Sequence, residues 1–141
     1  MSIWQIMLRQ DDYQKAYLVT VGWLHGKEYG GHLASCMVMN CIANRVRCGW
    51  GSWLEVIERI PLFAAEEKQP IGFPQIWEPQ FVRLLHEVDL IFDNSGVDYS
   101  KGALYWCDLR RVERQWFKDK ILANPGTHPR IADFNSLVFF K

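Results

Sequence analysis

Apolar positions recur at helical spacing along the first two thirds of the chain. Asp11 and Asp12 can cap a helix in which Tyr13, Tyr17, Val21 and Leu24 follow one another on one face. Gly22, Gly26, Gly30 and Gly31 are then expected to break it up. A second helix is predicted to begin just after Gly31. Leu33, Met37, Cys41 and Asn44 form one stripe of it, and Cys36, Val38 and Ile42 widen the apolar face. It is the most apolar of the helices, which predicts a central place for it. Gly49 to Gly51 end it. Ser52 with Glu55 has the form of a capping box, opening a short helix through Ile60. The stretch Pro61 to Glu78 is rich in proline and predicts an irregular excursion, of a length more often functional than decorative. Pro79 suits the first position of a further helix that buries Phe81, Leu84, Leu85, Val88 and Phe92 and stops at Asp93-Asn94-Ser95-Gly96.

The pattern changes towards the C-terminal end. Gly102 to Trp106 reads as a short strand, and Ser136 to Phe140 as another. Between them, Val112, Trp116 and Lys120 suggest a short helix whose apolar side includes Phe117 and Ile121, and Asn124-Pro125-Gly126 is a turn. The two strands are expected to pair. The fold class is therefore α+β, mainly helical, with a small antiparallel sheet in a single domain spanning 1–141. Neither an internal repeat nor a linker divides the chain.

Composition narrows the function classes. In 141 residues there are 16 Lys+Arg and 16 Asp+Glu, and 49% of positions are hydrophobic. A chain this apolar and this weakly charged buries a core and is not of the disordered class. Net neutrality argues against nucleic acid as the main partner, since counterion-release binding needs a basic face. Seven Trp are unusual at this size. They are either core or, in part, a platform for a flat ligand. Cys36, Cys41, Cys48 and Cys107 include no C-x-x-C pair and read as buried small hydrophobes rather than a disulfide framework. The absence of a secretory pattern and of a long apolar run leads to the expectation of a protein made in the cytoplasm, with no membrane partner.

The densest constellation of chemistry is Trp23-Leu24-His25-Gly26-Lys27-Glu28-Tyr29-Gly30-Gly31-His32. It sets an acid, a Lys, two His and aromatics in a glycine-rich joint between two apolar helices. A carboxyl group partly desolvated there has a raised pKa and suits a general acid. The competing reading is a loop in which Lys27 and Glu28 are merely solvated. His25, Glu28 and His32 share a face only if the segment is helical, which the glycines oppose, so no metal and no cofactor are expected. Phosphate-loop and nucleophile-elbow patterns are both absent.

Asn44-Arg45-Val46-Arg47-Cys48-Gly49-Trp50, then Trp53 to Ile57 and Leu62-Phe63, resembles the spore cortex-lytic enzyme family of cell wall hydrolases. Its members carry a helix ending in N-R-V, a glycine-containing turn, and a short helix running towards Q-F-S. Lys101-Gly102-Ala103-Leu104-Tyr105-Trp106 is similar to the family's G-G-A-L-Y-F strand, and Leu137 to Phe140 to its terminal G-x-H-x-F-Y strand. Order and spacing agree over roughly residues 18–141. The resemblance implies a lysozyme-like fold and cleavage of peptidoglycan glycan strands by one glutamate of a G-E-A-R-G-E motif. Gly26 to Gly31 is the matching stretch. Aligned on both glycines, it puts Lys27 at the glutamate position. A one-residue slip puts Glu28 there, and alignment on the motif's later glycines puts Trp23 there.

With Glu28 in the role, the carboxyl protonates the glycosidic oxygen as an oxocarbenium-like centre forms. The resulting carboxylate takes a proton from the sugar's own 6-hydroxyl, which closes a 1,6-anhydro ring. That is lytic transglycosylase chemistry and needs no second acid. Ordinary muramidase hydrolysis would draw on one of Glu66, Glu67 or Asp98. Trp23, Tyr29, Tyr105 and Trp106 are the candidate substrate-binding aromatics, with core packing as the alternative for each. Expected partners are peptidoglycan strands and, for a phage-encoded member, phage structural proteins, reached through a lysis pore or inside a virion. The rival expectation is a catalytically silent relative serving as virion component, glycan binder or host-protein inhibitor.

Overall fold

The computed structural model describes residues 10–26, 32–60, 79–112 and 114–141. The chain runs α1 (Gln10–Gly26), α2 (His32–Arg47), α3 (Trp53–Glu58), α4 (Pro79–Phe92), β1 (Tyr105–Asp108), α5 (Gln115–Phe117) continuing into a π-helical turn (Lys118–Leu122), β2 (Arg130–Phe134) and β3 (Leu137–Phe140). The class is α+β, about 53% helical, with one three-stranded antiparallel sheet.

Two glycines expected to interrupt α1 lie inside it instead. A Cβ on Gly22 would fall 2.5 Å from Met39 Cγ, and one on Gly26 would fall 2.5 Å from the Ser35 backbone nitrogen. These residues are absent side chains rather than chain breaks. They let the backbones of α1 and α2 approach more closely than alanine would permit.

The second helix is central, as expected, although α4 rather than α2 is the most apolar of the helices. Every residue from Ala34 to Asn44 is buried, so α2 is enclosed on all sides. Leu33, assigned to the buried stripe by spacing, is 42% exposed. The Ser52–Glu55 capping box is present: Ser52 Oγ accepts from Glu55 N at 3.3 Å, and Glu55 Oε1 accepts from Ser52 N. The helix it opens ends at Glu58, short of Ile60, which is still buried. Pro79 opens α4; of the side chains expected to be buried, Leu84 and Val88 are, Leu85 and Phe92 are half-buried and that of Phe81 lies outside the described residues, while Ile91 is buried in addition. Trp53 stacks on Phe92 with ring centroids 4.2 Å apart, which fixes α3 against α4. Ser95 N donates to Leu90 O and closes the end of α4.

The sheet contains one strand more than the pattern predicts. Its order is β1-β3-β2, with β3 central and buried at all four positions. The extra strand, β2, is an edge strand of mixed polarity that lacks a run of β-branched residues, so its sequence signal is weak. The β2–β3 turn uses Asn135 at φ 57, a left-handed position that Asn tolerates. The two faces of β3 bury different clusters. Leu137 and Phe139 join the main core with α1, α2 and α4, while Val138 and Phe140 pack with Phe117 and Ile121.

Candidate functional site

The end of α2 is tied to the approach of β1 by two consecutive side chains. Asn44 Nδ2 donates to Asp98 Oδ2 at 3.0 Å, to Ser100 Oγ at 3.2 Å and to the Ala103 carbonyl at 3.1 Å. Arg45 Nε donates to the Leu104 carbonyl at 2.7 Å. The Arg45 guanidinium also lies 4.7 Å from the Trp106 ring centroid and 5.0 Å from that of Trp50. A delocalised cation between indole faces is the favoured geometry for cation–π attraction. Burial lowers the Arg45 pKa from its ordinary value. Cys48, expected among the buried cysteines, is exposed just beyond this helix end, and all four cysteines are free thiols.

Asp98 is committed to the same joint. Besides Asn44, its carboxylate accepts from Ser100 N at 2.9 Å, Ser100 Oγ at 2.6 Å and Gly102 N at 2.9 Å. Burial pushes its pKa up, but the hydrogen bonds from Ser100, Asn44 and Gly102 outweigh that and hold it below the ordinary 3.8. A carboxylate so bonded organises the 98–103 loop and is poorly placed to activate water.

The proposed catalytic residue Glu28, its neighbours Lys27 and Tyr29, and the alternative acids Glu66 and Glu67 lie outside the described residues, as do Trp4, Trp77 and the 61–78 excursion. The other substrate-binding candidates are half-buried. Trp23 packs on the main core from the last part of α1. His25, in the last turn of that helix, meets Trp106 edge to face, with centroids 5.6 Å apart. Tyr105 and Trp106 are adjacent strand residues and part company. Trp106 packs on the main core and Tyr105 on the second cluster, beside Trp50, His128 and Phe117. The structure brings Trp106, His25 and Arg45 together, and the Arg45 guanidinium lies 5.8 Å from the Tyr105 ring centroid as well, so the two aromatics share that cation while packing on different clusters.

An open groove of about 530 Å³ lies between the start of α2, the 98–101 loop and β2. Leu33 and Met37 line it from the helix, Tyr99 and Lys101 from the loop, and Arg130 and Asp133 from the strand. Tyr99 is 37% exposed, and its backbone N–H donates to Asn40 Oδ1 at 3.0 Å. Arg130 pairs with Asp133 at 3.2 Å, so Lys101 contributes the second cation. Sequence reasoning missed this lining. The exposed Leu33 and Tyr99 are ordinary core residue types, and only tertiary structure distinguishes them.

A second constellation lies where α2 packs on α4. His32 Nε2 is 3.5 Å from Cys36 Sγ and 3.9 Å from Glu87 Oε1. Burial pushes the Cys36 thiol up to about 12, with Glu87 adding to the rise. The potential ligand atoms of the three residues lie within 4.8 Å of one another.

No protein-family model, no curated protein and no solved structure matches this chain.

Proposed function

We propose that this protein cleaves peptidoglycan glycan strands as a lysozyme-like lytic transglycosylase, with Glu28 as its single general acid and base. The observation that carries the reading is the joint between Asn44-Arg45 and Ala103-Leu104, residues 59 apart in sequence. These belong to the two segments on which the resemblance to cortex-lytic cell wall hydrolases rests. A family likeness predicts that such segments meet, whereas a chance pair of short motifs does not. The groove beginning at Leu33 offers the Tyr99 ring, apolar side chains such as Leu33 and Met37, and Lys101 beside the paired Arg130 and Asp133, a lining suited to a sugar face and its polar substituents. In this reading the protein acts at the bacterial wall, as a phage product released through a lysis pore or carried in a virion.

A second reading is a silent relative that binds glycan without cutting it. It is favoured by the use of Trp106 and Tyr105 in packing and of Asp98 in the loop joint. One assay separates the two. The protein is incubated with purified peptidoglycan and the digest is searched for anhydro-muropeptides by mass spectrometry. Products lost in Glu28→Gln support the transglycosylase. Products that persist in the variant remove Glu28 from the role. Their complete absence with wild-type protein, alongside retained pull-down on peptidoglycan, supports the silent binder.

A further inference from the structure

Among the described residues, only one group of three or more His, Cys, Asp and Glu side chains converges closely enough to share an ion. His32 and Cys36 lie four residues apart on α2, so their side chains project from the same face. Glu87 reaches them from α4. The donors are an imidazole nitrogen, a sulfur and a carboxylate oxygen. This is a set for borderline and soft transition metals rather than for calcium or magnesium, which take oxygen ligands.

The distances fit such an ion. In a tetrahedral zinc site, Zn–S near 2.3 Å and Zn–N of about 2.0–2.1 Å place sulfur and nitrogen roughly 3.5 Å apart. The Cys36 Sγ to His32 Nε2 separation is 3.5 Å. The corresponding nitrogen–oxygen edge is about 3.4 Å, and His32 Nε2 stands 3.9 Å from Glu87 Oε1. A small rotation of the Glu side chain closes that gap. The other ring nitrogen, Nδ1, is buried and has no hydrogen-bond partner. Among the described residues the ring is therefore oriented from its Cys36–Glu87 side alone. The His32 and Glu87 side chains keep 35% and 19% of their surface, so an ion can enter from solvent.

We propose that His32, Cys36 and Glu87 bind one zinc-type divalent ion, which clamps the first turn of α2 to α4. The metal replaces the thiol proton of Cys36, which leaves to solvent, and takes a lone pair from each of the other two groups. Three protein donors leave a fourth tetrahedral position for water or an added ligand. The clamp stabilises the folded state because the unfolded chain does not hold the three groups together. It is independent of the glycan-cleaving reading, and its test needs no glycan.

The full-length protein is stripped with a chelator under reducing conditions, then titrated with Co²⁺ and, by competition, with Zn²⁺. The expected result is one equivalent bound per chain, a thiolate-to-cobalt charge-transfer band with tetrahedral d–d absorption, and a higher Tm with either metal. Cys36→Ser abolishes the charge-transfer band. His32→Ala and Glu87→Gln each weaken binding by at least about tenfold, while Cys48→Ser changes nothing. Absence of the charge-transfer band in wild-type protein overturns the site, as does its persistence in Cys36→Ser or its loss in Cys48→Ser. Circular dichroism of the metal-free variants establishes that they are folded. If Cys36→Ser does not fold, the two partly exposed positions decide: unchanged cobalt affinity in both His32→Ala and Glu87→Gln overturns the proposal.

Discussion

Asn44 Nδ2 donates to Asp98 Oδ2 across 3.0 Å, joining the end of the central helix to a loop 54 residues further on. The same amide group serves Ser100 and the Ala103 carbonyl. Replacing Asn44 by Leu keeps the branched shape of the side chain and removes these donors in a buried setting. Loss of about 2–4 kcal/mol is expected, since several buried acceptors lose a partner at once. Urea denaturation followed by Trp fluorescence measures it.

Asp98 makes this joint sensitive to acid. Its folded-state pKa is depressed, so its contribution is fully present above the ordinary carboxylate value and is lost as pH falls through the lower folded value. Stability of the wild-type protein should therefore decline on acidification below about pH 4. Asp98→Asn should be less stable at neutral pH and show a shallower decline over that acidic window. Parallel curves for the two proteins would mean that the carboxylate is not the titrating element.

Arg45 holds its place by shape as well as charge. Arg45→Lys retains the charge but cannot keep a planar group against Trp50 and Trp106 while donating to the Leu104 carbonyl. A loss of roughly 1–3 kcal/mol is expected. A red shift of Trp emission in the native state would report loosened indoles, and Arg45→Met should be worse than Lys.

The two glycines of α1 should respond unequally to alanine. At Gly26 the new methyl meets the Ser35 backbone, which cannot step aside without moving α2. At Gly22 it meets the flexible Met39 side chain. Gly26→Ala should cost about 2–3 kcal/mol or more, and Gly22→Ala distinctly less. Equal and small losses, read from thermal melts, would argue against close backbone approach at Gly26.

Tyr99 tests the groove. Tyr99→Ala removes a ring that is 37% exposed, so Tm should change little. If the groove holds glycan as proposed, affinity for chitooligosaccharide or soluble peptidoglycan fragments falls by about tenfold, the loss of one stacking contact. Trp116→Ala, at a ring 49% exposed and outside the groove, is the matched control and should leave binding unchanged.

Local signals in the sequence carried much of the architecture. The Ser52–Glu55 box, the proline that opens α4 and the apolar run of α2 each act within a few residues, so they read correctly in isolation. The final strand is likewise apolar throughout and could hardly be anything but buried. Where sequence reading failed, the deciding partner lay far along the chain. Gly22 and Gly26 look like breakers until α2 is placed against them. The edge strand β2 exists because β3 offers it hydrogen bonds. Leu33 sits on an apolar stripe but emerges at the rim of a groove. Asp98 looks like a spare acid until four donors close on it. The grouping of His32, Cys36 and Glu87 needs the packing of α2 on α4, since spacing relates only the first two. The helices α2 to α4 and the final strand thus followed from periodicity and caps, which are short-range. The joint, the groove and the ligand cluster followed from long-range contacts, which no window of the sequence contains.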